Sequence, residues 1–231
     1  MRKLKVQFHL HTRQDPYDYI RHSEKELIDE AARLNYDVLS ITCHNVIIFN
    51  EDLKKYAEKK RILLIPGIEK SIRRRHVVIL NATIDAQNIK NFDDLEKYRK
   101  KHPECFIIAA HPYYPGGISL KKRLERYISL FDAIEYCWYH SKKFNTYNKK
   151  AVKTAEKYGL PILATADCHM IKYLNYTYSL IEAGKDVHSI FDAIRKKKIE
   201  IVSHNLPWWK LLIIMPSLLL KSWIKRFTLA I

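Results

Sequence analysis

Histidines and carboxylates fall in this chain at spacings that suit metal chemistry. His9 and His11 form an H-x-H, Asp167 and His169 a D-x-H, and His44, Glu69, His111 and His140 stand singly. In an extended segment, the two residues flanking a central one point the same way, so each pair can reach one cluster. Imidazole plus carboxylate suits Zn, Mn, Fe or similar divalent ions, and a glutamate can bridge two of them. Each pattern alone has an ordinary reading. A lone H-x-H is weak, Ala110-His111-Pro112 reads as a turn, and Thr165-Ala166-Asp167-Cys168-His169 reads as a helix start with a capping Asp. Cys43, Cys105, Cys137 and Cys168 form no C-x-x-C pair, which argues against a zinc ribbon or a redox motif. Their spread through apolar segments suits reduced, buried thiols in a cytoplasmic protein.

The joint placement of these residues carries more than any one of them. Strand-like runs cover Leu4 to Phe8, Val38 to Thr42, Ile62 to Pro66, His76 to Ala82, Phe106 to Ala110, Ala133 to Cys137, Ile162 to Thr165, Tyr178 to Glu182 and Glu200 to Ser203. Amphipathic helical runs lie between many of them, at 51–60, 92–101, 119–130, 143–158 and 187–197. A further helix begins at Ser23 and Glu26, a capping box, and carries the stripe Leu27, Ile28, Ala31 and Leu34. Gly159 fits the position just past a helix end. Strands alternating with helices predict parallel pairing in an α/β barrel or open sheet. Every candidate ligand then follows the C-terminal end of a strand, where a parallel barrel gathers its site-building loops.

At this point a resemblance is legible. Phe8-His9-Leu10-His11-Thr12, Ile41-Thr42-Cys43-His44-Asn45, Pro66-Gly67-Ile68-Glu69, Ala110-His111-Pro112 and Ala166-Asp167-Cys168-His169 resemble the successive motifs of the PHP (polymerase and histidinol phosphatase) family, over about residues 4–205. The resemblance implies a distorted (β/α)7 TIM-like barrel, the PHP fold, over residues 1–206, with two or three divalent ions. It implies that His9, His11, Glu69 and Asp167 hold the first ion. Glu69 would bridge to a second ion held also by His111 and His140, while Asp15, His44 and His169 would hold a third. The chain has Cys43 where the family often has Asp. Asp18 rivals Asp15 for its role, and the His140 match rests on a loop aligned after Glu135. Glu135 itself suits a hydrogen bond to a ligating imidazole.

The implied activity is metal-dependent hydrolysis of phosphoester bonds by a water that a multinuclear centre activates. Arg13 and Arg73 are candidate phosphate contacts, with Arg74, Arg75, Lys142 and Lys143 nearby in sequence, although surface cations are the norm. The 231 residues suffice for one barrel, and 47% apolar with 29% charged residues marks a globular chain. Five glycines leave no Gly-rich phosphate loop. The formal charge of +16 favours polyanions. The expected substrate is a small phosphomonoester or a nucleotide, oligonucleotide or nucleic-acid end, with no obligate protein partner. No RNA-binding motif is recognisable.

The N-terminus runs straight into a strand with no signal-peptide stretch, which predicts a cytoplasmic protein. Residues 207–231 form a basic amphipathic C-terminal segment. Its uncharged run Leu211 to Leu220 spans about 15 Å as a helix, against the roughly 30 Å of a bilayer core, and Pro216 interrupts it. The segment suits a helix lying on an anionic membrane, at the inner face, or one packed on the barrel or on a second subunit. The competing functional readings are a non-catalytic metal-binding PHP scaffold, a nucleic-acid-binding module with incidental histidines, and an amidohydrolase-type metallohydrolase.

Overall fold

The computed structural model describes residues 3–228. The last residues of the C-terminal segment, Leu229 to Ile231, lie outside the described residues. Among the described residues, ten strands form two five-stranded sheets. The first runs in the order β10 (Ile199–Ser203), β9 (Thr177–Ile181), β1 (Leu4–Gln7), β2 (Val38–Leu39), β3 (Leu63–Leu64). The second runs β4 (Gly67–Ile72), β5 (Arg75–Leu80), β6 (Phe106–Ala109), β7 (Ala133–Cys137), β8 (Ile162–Thr165).

The α/β character matches the sequence pattern, but the pairing is mixed. β1, β2 and β3 pair in parallel, as do β6, β7 and β8. β9 is antiparallel to β1 and to β10, and β5 is antiparallel to β4 and to β6. The ladders do not close into one ring among the described residues. Two isolated parallel bridges, Leu10 to Cys168 and His44 to Glu69, join the sheets instead. The first lies between the ligand pairs: Cys168 N–H donates to His9 O at 3.1 Å and His11 N–H to Cys168 O at 3.2 Å. At the second, Glu69 N–H donates to Thr42 O at 3.1 Å and Asn45 N–H to Glu69 O at 2.9 Å. Both seams therefore lie at the candidate site.

The sequence reading missed β4. Glu69 lies within this strand rather than past the end of β3. The hairpin turn explains the miss, because Arg73 and Arg74 occupy it with φ of 47° and 67°. Two arginines carry none of the Asn-Gly signal that such a turn favours.

Local chemistry accounts for most of the helices. In α1 (Glu24–Arg33), Ser23 and Glu26 form the expected capping box, and Leu27, Ile28 and Ala31 are buried. Asn50 caps α2 (Glu51–Lys59) through Leu53 N–H at 2.8 Å, and Asn91 caps α3 (Phe92–Lys101). Gly159 ends α5 (Thr146–Tyr158) at φ 69°, the left-handed conformation that glycine adopts without strain. The run expected as one helix over 119–130 is a short α4 (Lys122–Arg126) and a 3-10 turn. Its start at Lys121 has φ 52° and no side-chain cap. α6 (Val187–Arg195) packs Phe191 against Phe106, and α7 (Trp208–Thr228) closes the described chain.

Strand residues alternate between layers. Phe106 and Ile108 pack with Leu4, Val6, Phe8 and α6, while Ile107 and Ala109 pack with α3 and α5. This two-residue period fixes which side chains line the site.

Candidate metal centre

The site is built from imidazoles clamped at one nitrogen and bare at the other. His9 Nδ1 lies 2.6 Å from Glu135 Oε1, His11 Nδ1 lies 2.9 Å from Asp15 Oδ2, and His44 Nδ1 lies 2.8 Å from the same Asp15 oxygen. A proton on each Nδ1 donates to its carboxylate. That tautomer leaves each Nε2 with a lone pair aimed at the centre, the arrangement that orients metal-ligating histidines.

Four of the central atoms converge. His9 Nε2 lies 3.2 Å from Glu69 Oε2 and 3.4 Å from Asp167 Oδ1. His11 Nε2 lies 3.3 and 3.4 Å from the same two oxygens. Donor atoms this close can share one divalent ion, whose bonds to His nitrogen and carboxylate oxygen are about 2.0–2.2 Å. His9 Nε2, His11 Nε2 and Asp167 Oδ1 are buried and make no hydrogen bond. Orphaned buried polar atoms are costly, and a cation at their common centre removes the cost. The donor set thus fits a divalent ion.

Glu69 straddles two clusters. Its Oε2 faces His9 and His11, and His44 Nε2 at 3.0 Å. Its Oε1 faces His111 Nε2 at 3.1 Å and His76 Nδ1 at 2.8 Å. Donor atoms of His9, Glu69 and His111 form a second compact group, and those of His11, His44 and Glu69 a third. His76 was missed by the sequence reading. In the β4–β5 register Ser71 faces His76, so Glu69, two residues from Ser71, shares that face. Recognising the hairpin would have found it.

The remaining candidates fall in different places. Asp15, Asp18 and His44 offer a further close group. The lone pairs of Asp15 are already engaged, however. Oδ2 accepts from His11, His44 and the His44 N–H, and Oδ1 accepts from the Tyr17 and Asp18 N–H groups at 2.9 Å. Asp15 is placed as a clamp, and its rival Asp18 lies nearer the open side, with Oδ2 2.9 Å from His169 Nε2. His169 Nδ1 lies 3.4 Å from Asp167 Oδ1. His140 is not brought into any of these groups. Its Nε2 lies 2.7 Å from Ser203 Oγ, because the loop after β7 turns it toward β10. Arg13 folds back to donate to Arg21 O at 2.6 Å and pairs with Glu26 at 3.5 Å. Arg73 and Arg74 are exposed at the hairpin tip, and Lys142 and Lys143 are exposed after β7.

Backbone strain marks two ligands. His111 and Asp167 have φ of 27° and 40°, a region non-glycine residues rarely occupy. Glu135 holds the first, accepting from His111 N–H as well as from Thr165 Oγ1 and His9.

Charge is concentrated accordingly. Burial opposes the charged form of His9, but Glu135, Glu69 and Asp167 outweigh it and hold its pKa well above the ordinary value. His11 is likewise raised against its burial by Asp15, Asp167 and Glu69. Burial opposes ionisation of Glu69 and Asp167 too, yet the surrounding imidazoles hold both well below the carboxylate range. His76 goes the other way, since burial outweighs Glu69 and lowers it.

Residues 145–199 match a family model described as PHP-associated, a segment containing α5, β8, Asp167, His169, β9, α6 and the first residue of β10. No curated protein matches the chain in sequence. Among solved structures, a two-domain protein from Bacteroides vulgatus containing a predicted PHP-like metal-dependent phosphoesterase is similar at TM-score 0.67 and 18% identity, over 87% of this chain and 65% of that one. PsfC from Pseudomonas syringae is similar at 0.60 and 15%, over 99% and 100%. The lesion-specific endonuclease PfuEndoQ from Pyrococcus furiosus is similar at 0.60 and 16%, over 86% and 57%. The chain thus spans about two thirds or less of the first and third of these proteins.

Proposed function

We propose that the chain is a PHP-type enzyme, a reading its matched segment and its fold support, and that it hydrolyses phosphoester bonds with divalent ions held by His9, His11, Glu69 and Asp167 and, across Glu69, by His76 and His111. The observation that carries this reading is the set of orphaned buried donor atoms, the imidazole nitrogens of His9 and His11 3.2–3.4 Å from carboxylate oxygens, with Glu69 turned to both sides. The two bridged sheets are read as the distorted barrel of that family. Bound ions would supply a nucleophilic water near neutral pH and neutralise charge on the phosphoryl oxygens.

The chain's own residues do the rest. Glu135 and Asp15 fix the tautomers and directions of three imidazoles. His76, buried and held toward its neutral form, offers a lone pair without adding charge. Arg73 and Arg74 present cations at the hairpin tip for an approaching phosphate. Tyr17 lies edge-on to His44 at 6.0 Å and is 41% exposed, so it offers a stacking surface beside the centre. That surface, the net charge of +16 and the likeness to a lesion-specific endonuclease favour a nucleotide or nucleic-acid phosphoester over a small sugar phosphate. Four buried free cysteines support a cytoplasmic location. A non-catalytic scaffold is disfavoured, because such a module has no need of a complete donor set.

The test is elemental analysis paired with hydrolysis of aryl phosphate mono- and diesters and of a short oligonucleotide, on wild type and Asp167→Ala. Two or three transition-metal ions per chain, with activity lost in the variant, is the expected result. A protein that stays inert after reconstitution with Mn or Zn would return the reading to a scaffold.

A further inference from the structure

α7 has two unlike sides. At 100° per residue, Trp208, Trp209, Leu212, Ile213, Leu219 and Leu220 share an arc of about 140°. Each of these six is between 49% and 67% exposed. Lys210, Ser217, Lys221, Ser222 and Lys225 all fall outside that arc. The helix's contacts with the rest of the molecule use its other side. Ile214, with Leu211 and Leu218, packs in a cluster with Tyr114, Trp138 and Tyr173. Tyr19 N–H donates to Ser222 Oγ at 3.3 Å, and Lys225 Nζ donates to the carbonyls of Asp15 and, at 2.9 Å, Asp18.

This inverts the usual pattern, in which a surface helix turns its apolar stripe inward. Trp208 and Trp209, about half exposed at roughly 150–250 Å² each, approach the size of patch that marks an interaction site once four aliphatic side chains are added. Packing on the molecule's own body does not account for the arc, because that packing is made by the opposite side.

We propose that α7 is an in-plane anchor that docks the protein on an anionic lipid bilayer. Charge selects this occupant over a second copy. Two chains of +16 repel each other, whereas the same charge is drawn to anionic headgroups. Lys210 and Lys221 lie about 60° and 80° beyond the Ile213 edge of the arc, from where long side chains can reach back to headgroups while their stems cover apolar surface. Tryptophan is favoured at the membrane–water boundary. No helix of the described residues is long and apolar enough to cross a membrane, so the helix lies along the surface. The proposal is independent of the hydrolytic reading.

The full chain would be sedimented with vesicles of phosphatidylcholine alone, or mixed with phosphatidylglycerol, at low and high salt. The comparison is Leu212→Glu/Leu220→Glu, which alters only exposed positions; circular dichroism and metal content serve as folding controls. Wild type should pellet with the mixed vesicles, less so in high salt, and the variant's partitioning should fall at least about tenfold. Wild type remaining in the supernatant at low salt overturns the proposal. So does equal pelleting of both proteins, which would reduce the attraction to general surface charge. A dimer in sedimentation velocity that the variant dissolves, without vesicle binding, gives the face to a second copy.

Discussion

A carboxylate that never touches the ion can decide whether the ion binds. Glu135 accepts from His9 Nδ1, His111 N–H and Thr165 Oγ1 at once. Glu135→Gln keeps the shape but offers an amide N–H where an acceptor is needed, so metal affinity should drop about 10–100-fold, read by competition with a chelator. His76→Ala and His140→Ala separate the geometry from the family pattern. The first should lower the ion count or weaken one site by a similar factor, and the second should leave both unchanged by titration calorimetry. The raised pKa values of His9 and His11 also fix a sign. Protons on them stabilise the metal-stripped fold fully below the unfolded value of about 6.5, and that contribution is lost as pH rises through the higher folded values. Ions displace those protons, so affinity should climb with pH. Between about pH 6 and pH 9, the Tm in chelator should fall while the gap between metal-loaded and stripped protein widens.

At the scale of elements, the β4–β5 hairpin carries the heaviest constraint. It places both Glu69 and His76, yet turns through two left-handed arginines. Arg73→Asn/Arg74→Gly should add about 1–2 kcal/mol of stability in urea unfolding by relieving that strain. The same change should lower kcat/KM if the arginines meet the substrate's phosphate. Gly67 begins β4 where no side chain fits, since a methyl group would lie 2.1 Å from Ser40 Oγ and 2.8 Å from Thr42 Cγ2. Gly67→Ala should cost about 1–3 kcal/mol and push Glu69 out of place. These contrasts show what was legible in sequence. H-x-H, D-x-H and the capping box are local patterns, read from a few neighbouring residues. His76 depended on a turn without turn residues. The role of Asp15 depended on which of its oxygens Tyr17, Asp18, His11 and His44 already occupy. The return of His140 toward Ser203 depended on a strand more than sixty residues away. The mixed sheets were hidden for the same reason, because alternation of strands and helices does not state which edges meet.

For the whole molecule, the site doubles as the fastening between sheets. The two seams run through Leu10 and Cys168 and through His44 and Glu69, each within a residue of a ligand or at one. Removing ions should therefore loosen the sheet junctions as well as silence the centre. Hydrogen exchange should show this as lost protection at the His11 and Cys168 amides before that at the α1 or α3 amides. There is also a matter of timing. His9 is made 158 residues before Asp167, the difference of their positions. At 5–20 residues per second that is roughly 8–32 s of synthesis. Through that interval the nascent chain offers His9 and His11 without the aspartate that completes their group. The full donor set of this corner forms only once Asp167 has been made, so complete metal capture there follows the synthesis of every earlier ligand.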